Sequence, residues 1–151
     1  MPDPNQNICI FAGSRAGFRP AYADAARALV QAIAAAGHGV VYGGGNVGLM
    51  NVAAEEGLRL GIPVIGVIPR SLVEREVVRR DLSELHIVDD MLSRKALMAE
   101  RAAGYVALPG GIGTLDEILE MVTWTQLDFQ TKRCGLLDVD GFYRPFVAVL
   151  E

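Results

Sequence analysis

Residues 105–117 read YVALPGGIGTLDE, and this stretch decides the fold. Its first five residues form a short apolar run that ends at Pro109, which is typical of a strand buried in a parallel sheet. Three glycines then give the backbone conformational freedom, and Thr114 begins an amphipathic helix. Thr114 either caps this helix or donates its hydroxyl group to a ligand. Amide groups at such a terminus suit a phosphate, because they point outward with the positive end of the helix dipole. A glycine-rich turn before a capped helix, with no ligand, is the alternative.

The rest of the chain repeats this order of strand and helix. Apolar runs lie at 8–12, 40–43, 63–69, 85–88 and 135–139, and helical patterns lie at 20–36, 47–60, 90–103, 114–127 and from about 142. The alternation predicts an α/β fold, a Rossmann-like, doubly wound parallel sheet flanked by helices. The stretch 70–84 is too polar for a core element and indicates a surface helix or an active-site loop. No linker interrupts residues 1–151, which we expect to form one domain with residues 1–7 flexible.

Composition restricts the class of protein. The chain has 151 residues, 51% apolar and 21% charged, which argues against disorder, and its net charge of −4 offers no basic field for nucleic acid. No signal pattern and no apolar run of 18 residues occurs, so we expect no membrane contact. Cys9 and Cys134 are interpreted as buried, inert thiols in a reducing cytoplasm. His38 and His86 stand apart from each other and from any acidic cluster, so no metal site is expected.

The remaining unusual residues follow other strands, where ligands of such sheets bind. Residues 43–48 match G-x-G-x-x-G, but the match follows the second strand rather than the first. The next strand ends with Ile68, Pro69 and Arg70, whereas a dinucleotide site has an acidic residue at this position to bind the ribose. A dinucleotide cofactor is therefore disfavoured. Gly13, Ser14, Gly44 and Gly45 follow strand ends and are therefore predicted to contact the substrate.

Acids on the helix that follows the 109–113 loop add a chemical function. Glu117 lies one turn into that helix, and Glu120 follows three residues later on nearly the same face, so both can point toward the strand ends. Solvated charges favoured by the helix dipole are the alternative. The side chains that can supply the buried face are Leu115, Ile118, Leu119 and Val122.

Two cations stand in the first turns of the helix at 90–103. Arg94 and Lys95 oppose the helix dipole there, so their placement is locally unfavourable. Either they belong to a solvated face, or they meet an anion or carboxylate across the strand ends. Arg94 is the better candidate, since its planar fork can bind a phosphate or carboxylate through two bonds.

Together these motifs resemble the Lonely Guy (LOG) family of cytokinin riboside 5'-monophosphate phosphoribohydrolases, many of which carry an old lysine decarboxylase label. The resemblance runs from about residue 8 to residue 143. It rests on PGGxGTxxE at 109–117, on the Arg-Lys pair within SRKALM, and on YGGGNVGLM at 42–50. Family members usually continue for a few dozen residues, so the resemblance implies that a terminal helix is missing.

The resemblance implies hydrolysis of a purine riboside 5'-monophosphate, with Arg94 and Glu117 as catalytic residues. It implies a homodimer with sites near the subunit interface, and no metal or organic cofactor. The positions that it places on the phosphate or near the nucleotide are Gly110, Gly111, Gly113, Thr114, Glu76 and Lys95. Glu120 is added from its helical spacing.

Other functions remain as alternatives. A general nucleoside-monophosphate nucleosidase would use the same residues without a cytokinin preference, and a non-catalytic nucleotide-binding module would have no use for Glu117. Lysine decarboxylation needs a Schiff-base lysine, and the chain offers only Lys95 and Lys132. The sequence therefore disfavours that activity.

Overall fold

Each predicted apolar run contributes a strand, and each helical pattern contributes a helix. The computed structural model describes residues 6–13 and 19–151. The strands are β1 (Asn7–Phe11), β2 (Gly39–Tyr42), β3 (Val64–Pro69), β4 (Glu84–Val88), β5 (Gly104–Ala107) and β6 (Arg133–Leu136). The helices are α1 (Pro20–Ala35), α2 (Gly48–Arg59), α3 (Met91–Glu100), α4 (Ile112–Gln126) and α5 (Arg144–Leu150).

The strands form one parallel sheet in the order β4-β3-β2-β1-β5-β6, which confirms the predicted doubly wound α/β fold. The chain moves outward in one direction from β1 to β4 and in the other direction from β5 to β6. The direction changes between β1 and β5, where Cys9 pairs with Tyr105. Loops that leave the carboxyl ends of these two strands diverge, and the resulting crevice is where open α/β sheets bind ligands.

Alternating side chains of the strands build a core on each face of the sheet. Ile10 and Tyr42 pack with α1 and α2 on one face. Phe11 and Val67 pack with α3 and α4 on the other face. Burial on both faces explains why the strands read as continuous apolar runs rather than alternating ones.

The structure differs from the sequence predictions at several element ends and in one connecting segment. Of the predicted flexible segment 1–7, Asn7 lies in β1 and is 2% exposed, Gln6 precedes it and is exposed, and residues 1–5 lie outside the described residues. β6 begins at Arg133, two residues before the predicted run, because polar side chains can stand on a sheet's edge strand. The 70–84 stretch forms a 3-10 turn at Arg70–Leu72 and then a loop without an α-helix.

Within the described ranges, no helix is long and apolar enough to cross a bilayer.

Candidate active site

A cavity of about 620 Å³ lies over the carboxyl ends of β1 and β5, and its volume is typical of small-molecule sites. It collects residues that are far apart in the sequence. The predicted site residues that line it are Gly13, Glu76, Arg94, Gly110, Gly111, Gly113, Thr114 and Glu117. Leu72, Met91 and Phe142 add apolar walls that sequence reasoning missed. Leu72 and Phe142 lie in turns and Met91 is the first residue of α3, so no helical or strand periodicity marks them, and only the fold reveals them.

Thr114 does not begin the helix that follows the glycine loop after β5. α4 begins at Ile112, and Gly111, with extended backbone, occupies the N-cap position without a side-chain cap bond. Thr114 is the third helical residue and is buried, since its side chain fills the space beneath Gly110. The prediction of Thr114 as a cap is therefore wrong, although it still borders the cavity.

A matched pair of substitutions tests this packing. A Cβ at position 110 would overlap the Thr114 side chain, whereas a Cβ at position 111 would meet nothing within 4 Å. We expect Gly110→Ala to lower the free energy of unfolding by about 1–3 kcal/mol, as overpacking does. Gly111→Ala, the control, should change it far less. Urea denaturation of both variants measures the difference, and equal stabilities would contradict the described packing.

Glu117 is partly buried and faces the cavity from the second turn of α4. The pKa of its carboxyl is raised from 4.5 to about 7: burial is the largest cause, Arg94 opposes the rise, and the nearby Glu76 adds to it. A carboxyl with a pKa near neutrality suits a group that must exchange protons or balance charge during a reaction. The structure therefore places a reactive acid beside the glycine loop after β5.

Arg94 is only 4% exposed and is held by three acceptors. Its Nε donates to Val67 O at 2.9 Å, and its Nη2 donates to Gly43 O at 2.5 Å and to Glu76 Oε1 at 2.9 Å. The carboxylate paired with Arg94 is thus Glu76 rather than Glu117. The two partners lie 18 residues apart in sequence, and β3, β4 and α3 bring them together.

Of the three glycines after β2, Gly44 and Gly45 do not line the cavity. Their carbonyl groups are used inside the protein: Gly43 O accepts from Arg94, Gly44 O from the Arg79 amide and Gly45 O from the Tyr42 hydroxyl. Gly44 also has a φ of +78°, which favours glycine. Gly43, which the site prediction omitted, does line the cavity, and a Cβ there would overlap the Arg94 guanidinium. As ligand contacts, Gly44 and Gly45 stay predictions.

Lys95 and Glu120 also lie outside the cavity lining. Lys95 Nζ lies 2.7 Å from Asp116 Oδ2 and 2.8 Å from Glu120 Oε2, so it ties α3 to α4. Asp116 and Glu120 both raise the pKa of Lys95, which keeps it charged. The sequence predicts that Glu120 points toward the strand ends. In the structure it points to Lys95 instead. Ser14 lies outside the described residues.

The predicted buried face of α4 is partly wrong. Thr114, Ile118 and Met121 are the buried residues, at a spacing of four and three. Leu119 and Val122, predicted to be buried, are each 36% exposed. The helix turns these two side chains away from the sheet, and they contribute to an apolar surface.

Comparison with known proteins shows the family of this chain. A family model described as possible lysine decarboxylase matches residues 50–151. The probable cytokinin riboside 5'-monophosphate phosphoribohydrolase LOGL1 of rice is 47% identical over 144 residues, covering 95% of this chain and 65% of the relative. The enzyme LOG7 of Arabidopsis thaliana is 42% identical, covering 97% of this chain and 67% of the relative. The chain belongs to the Lonely Guy family. It spans 60% of the length of another relative, rice LOG.

Solved structures share the fold of this LOG family chain. The molybdenum cofactor binding protein from Rippkaea orientalis has a TM-score of 0.72 and 24% identity, covering 95% of this chain and 83% of its own. The Moco carrier protein from Chlamydomonas reinhardtii has a TM-score of 0.71 and 20% identity, with the same coverage. At these identities the likeness concerns the fold alone.

Proposed function

We propose that this protein hydrolyses the N-glycosidic bond of purine riboside 5'-monophosphates, including N6-modified ones, and releases the free base and ribose 5-phosphate. One observation carries the proposal: Glu117, the Arg94–Glu76 pair and the 110–113 glycines line a single cavity. The names of the family relatives support the substrate class, since they are called cytokinin riboside 5'-monophosphate phosphoribohydrolases.

Glu117 is the residue for the chemical step. Glycosidic cleavage passes through an oxocarbenium-like sugar, and a fixed carboxylate stabilises that positive charge. The bond from C1' to the base nitrogen breaks with its electron pair going to the base. Water supplies the hydroxyl for C1' and the proton for the base. Glu117 either activates this water or first bonds to C1' and is then displaced by water, and both routes give the same products.

The glycine loop and Arg94 bind and orient the substrate in this proposal. Positions 111 and 113 have open space where a Cβ would stand, so a phosphate can approach the backbone at the start of α4. Among the described residues, Arg94 Nη1 has as its recorded partner only Met91 Sδ, a weak acceptor at 3.8 Å. Its N–H groups can therefore donate to a substrate oxygen. The anchored phosphate provides binding energy that holds the sugar beside Glu117.

Activity should depend on the ionisation of Glu117. Because its pKa is about 7 and the ionised form is active, we expect kcat/KM to rise about tenfold per pH unit below 7 and to level off above it. Rates of base release between pH 5 and 9 measure this profile. A rate independent of pH across that range would contradict the assigned role.

Product analysis tests the function itself. The protein is incubated separately with N6-isopentenyl-AMP, AMP and adenosine, and free base is separated by chromatography. We expect release from the monophosphates and little from adenosine, which lacks the anchoring phosphate. Equal rates for both monophosphates would indicate a general nucleosidase. Thermal stabilisation by AMP without any base release would indicate a binding module and would exclude the proposal.

The placement of the lysines supports hydrolysis over lysine decarboxylation. Neither Lys95 nor Lys132 lines the cavity. Lys95 is paired with two carboxylates, and Lys132 Nζ donates to Ala99 O at 2.5 Å. A Schiff-base lysine needs to reach the reacting carbonyl, and neither side chain is placed to do so.

A homodimer is part of the proposal. Leu92 on α3, Ile112 on α4 and Phe129 after α4 are 71%, 83% and 73% exposed, and Leu119 and Val122 on α4 are each 36% exposed. Exposed apolar side chains on neighbouring elements are typical of a surface that another protein covers. Sedimentation velocity tests the assembly: a species of twice the chain mass is expected, and a monomer at micromolar concentration would contradict it.

A cytoplasmic location is likewise proposed. Cys9 and Cys134 are free thiols, and burial raises the pKa of both. Protonated, shielded thiols suit a reducing compartment. Fractionation of the native cells would test the location directly.

A further inference from the structure

Residues 73–83 connect β3 to β4, and we refer to them as the strap. They carry Glu76 to the edge of the cavity. Parallel strands are usually joined by a helix, whose internal hydrogen bonds hold it together. After the turn at Arg70–Leu72 the strap has no α-helix. Its own backbone bonds, such as Glu76 N–H to Leu72 O and Val78 N–H to Val73 O, join only nearby residues, so contacts with other elements fix its place on the molecule.

The backbone of the strap lies directly on the loop that follows β2. The Arg79 amide donates to Gly44 O at 3.0 Å, and the Asn46 amide donates to Glu76 O at 2.9 Å. A Cβ at Gly45 would come within 2.9 Å of Glu76 O, so this close approach requires a glycine. The residue that pairs with Arg94 is therefore fixed through its own carbonyl.

The Arg79 side chain fastens the same segment and is only 12% exposed. Its Nε and Nη2 donate to both carboxylate oxygens of Asp81, at 3.0 and 2.8 Å. Its Nη1 donates to Asn46 Oδ1 at 3.1 Å and to Asn51 Oδ1 at 2.8 Å. One planar group thus joins the strap to the loop after β2 and to α2, which is a geometry that lysine cannot reproduce.

The strap is also held in a conformation that its sequence does not favour. Val77, next to Glu76, has a φ of +50° and is exposed. A β-branched residue rarely adopts this left-handed region and stays there only where the surroundings enforce it. The Val77 and Val78 amides donate to Glu74 O and Val73 O at 3.3 and 3.0 Å, so a local turn closes around Val77, and the Arg79 side chain fastens the strap two residues later.

We propose that Arg79 is a positioning residue, which clamps the strap to the loop after β2 and to α2 and thereby fixes the Glu76 carboxylate against Arg94. Arg79 itself does not line the cavity, so it acts through Glu76 and not on a ligand. The kinetic part of this inference rests on the proposed hydrolysis, but the positioning of Glu76 does not.

The pKa of Glu117 depends on the position of Glu76 and can therefore be used to follow it. Glu117 is influenced by Arg94 and Lys95, which lower its pKa, and by Glu76 and Asp116, which raise it. If the strap loosens, the Glu76 carboxylate moves away while the two backbone carbonyls still hold Arg94. The pKa of Glu117 should then fall.

The experiment compares Arg79→Ala with Arg80→Ala, an exposed neighbouring arginine, as the matched control. Carbon-13 NMR follows the Glu117 carboxyl in glutamate-labelled protein, assigned by its loss in Glu117→Gln. We expect Arg79→Ala to lower the pKa of Glu117 by about 0.5–1 unit, with the acid limb of kcat/KM moving equally. Hydrogen exchange in the strap should rise and kcat should fall about 10–100-fold, while Arg80→Ala behaves as wild type.

Asp81→Asn serves as a milder variant, since Asp81 is exposed and its loss leaves the asparagine contacts of Arg79 in place. It should move each quantity in the same direction by less. An unchanged Glu117 titration in the folded variants, or a loss of activity with an unchanged pH profile, would overturn the proposal. If the wild type releases no base, the proposed function fails, while the titration and the exchange still decide the role of Arg79.

Discussion

Glu117→Gln should nearly abolish base release, lowering kcat by about 10²–10⁴-fold, the range found when an acid–base group is removed. Glutamine keeps the shape of the side chain but cannot carry the negative charge that faces the sugar in the transition state. The matched control is Glu100→Gln, which makes the same change at an exposed position at the end of α3. Chromatography of the released base measures both. Wild-type rates in Glu117→Gln would remove this residue from the mechanism.

Stability supplies an independent check on the same substitution. The folded-state pKa of Glu117, about 7, lies above the usual 4.5, so the folded protein binds the proton more tightly than the unfolded chain. Its stability contribution is therefore lost as pH rises from 4.5 through 7. Glutamine has no such dependence, so we expect Glu117→Gln to exceed wild type by about 1–3 kcal/mol at pH 8, allowing for solvent contact. The excess should vanish near pH 4 in urea denaturation.

Much of the fold could be predicted because local chemistry and the final structure agree. Glycine and proline mark the strand ends, and the continuous apolar runs match strands that are buried on both faces. The stretch at 109–117 was informative for the same reason, since its glycines adjoin the cavity and Glu117 follows one turn later. These features depend on neighbours within a few residues, which a sequence displays directly.

The rest depends on contacts between distant segments. Nothing in the spacing of the sequence shows that Arg94 pairs with Glu76 rather than Glu117, or that Lys95 draws Glu120 away from the strand ends. Those partners are set by how α3, α4 and the strap meet. The glycine motif after β2 likewise indicates flexible backbone but does not show that Arg94, Arg79 and Tyr42 use its carbonyl groups.

Arg94→Met should have the second large effect, on activity and on stability together. It removes the donor for Glu76 and for two backbone carbonyls, all of them in the interior of the site. A buried charge left without its partner typically destabilises a protein by about 3–5 kcal/mol. We expect kcat/KM to fall by about 10²–10⁴-fold, because the positive charge of Arg94 is no longer present beside Glu117 and the substrate. Arg94→Lys should be intermediate, since one ammonium cannot serve three acceptors.

The double variant Arg94→Met with Glu76→Gln separates the two effects. It removes the unpaired carboxylate, so much of the lost stability should return, whereas activity should not. Arg94 lowers the pKa of Glu117, so its removal should move the acid limb of the Arg94→Met profile above pH 7. In the double variant the loss of the Glu76 charge should bring that limb part of the way back. Recovery of activity together with stability would mean that Arg94 only supports the fold; a return of stability alone makes Arg94 part of the reacting site.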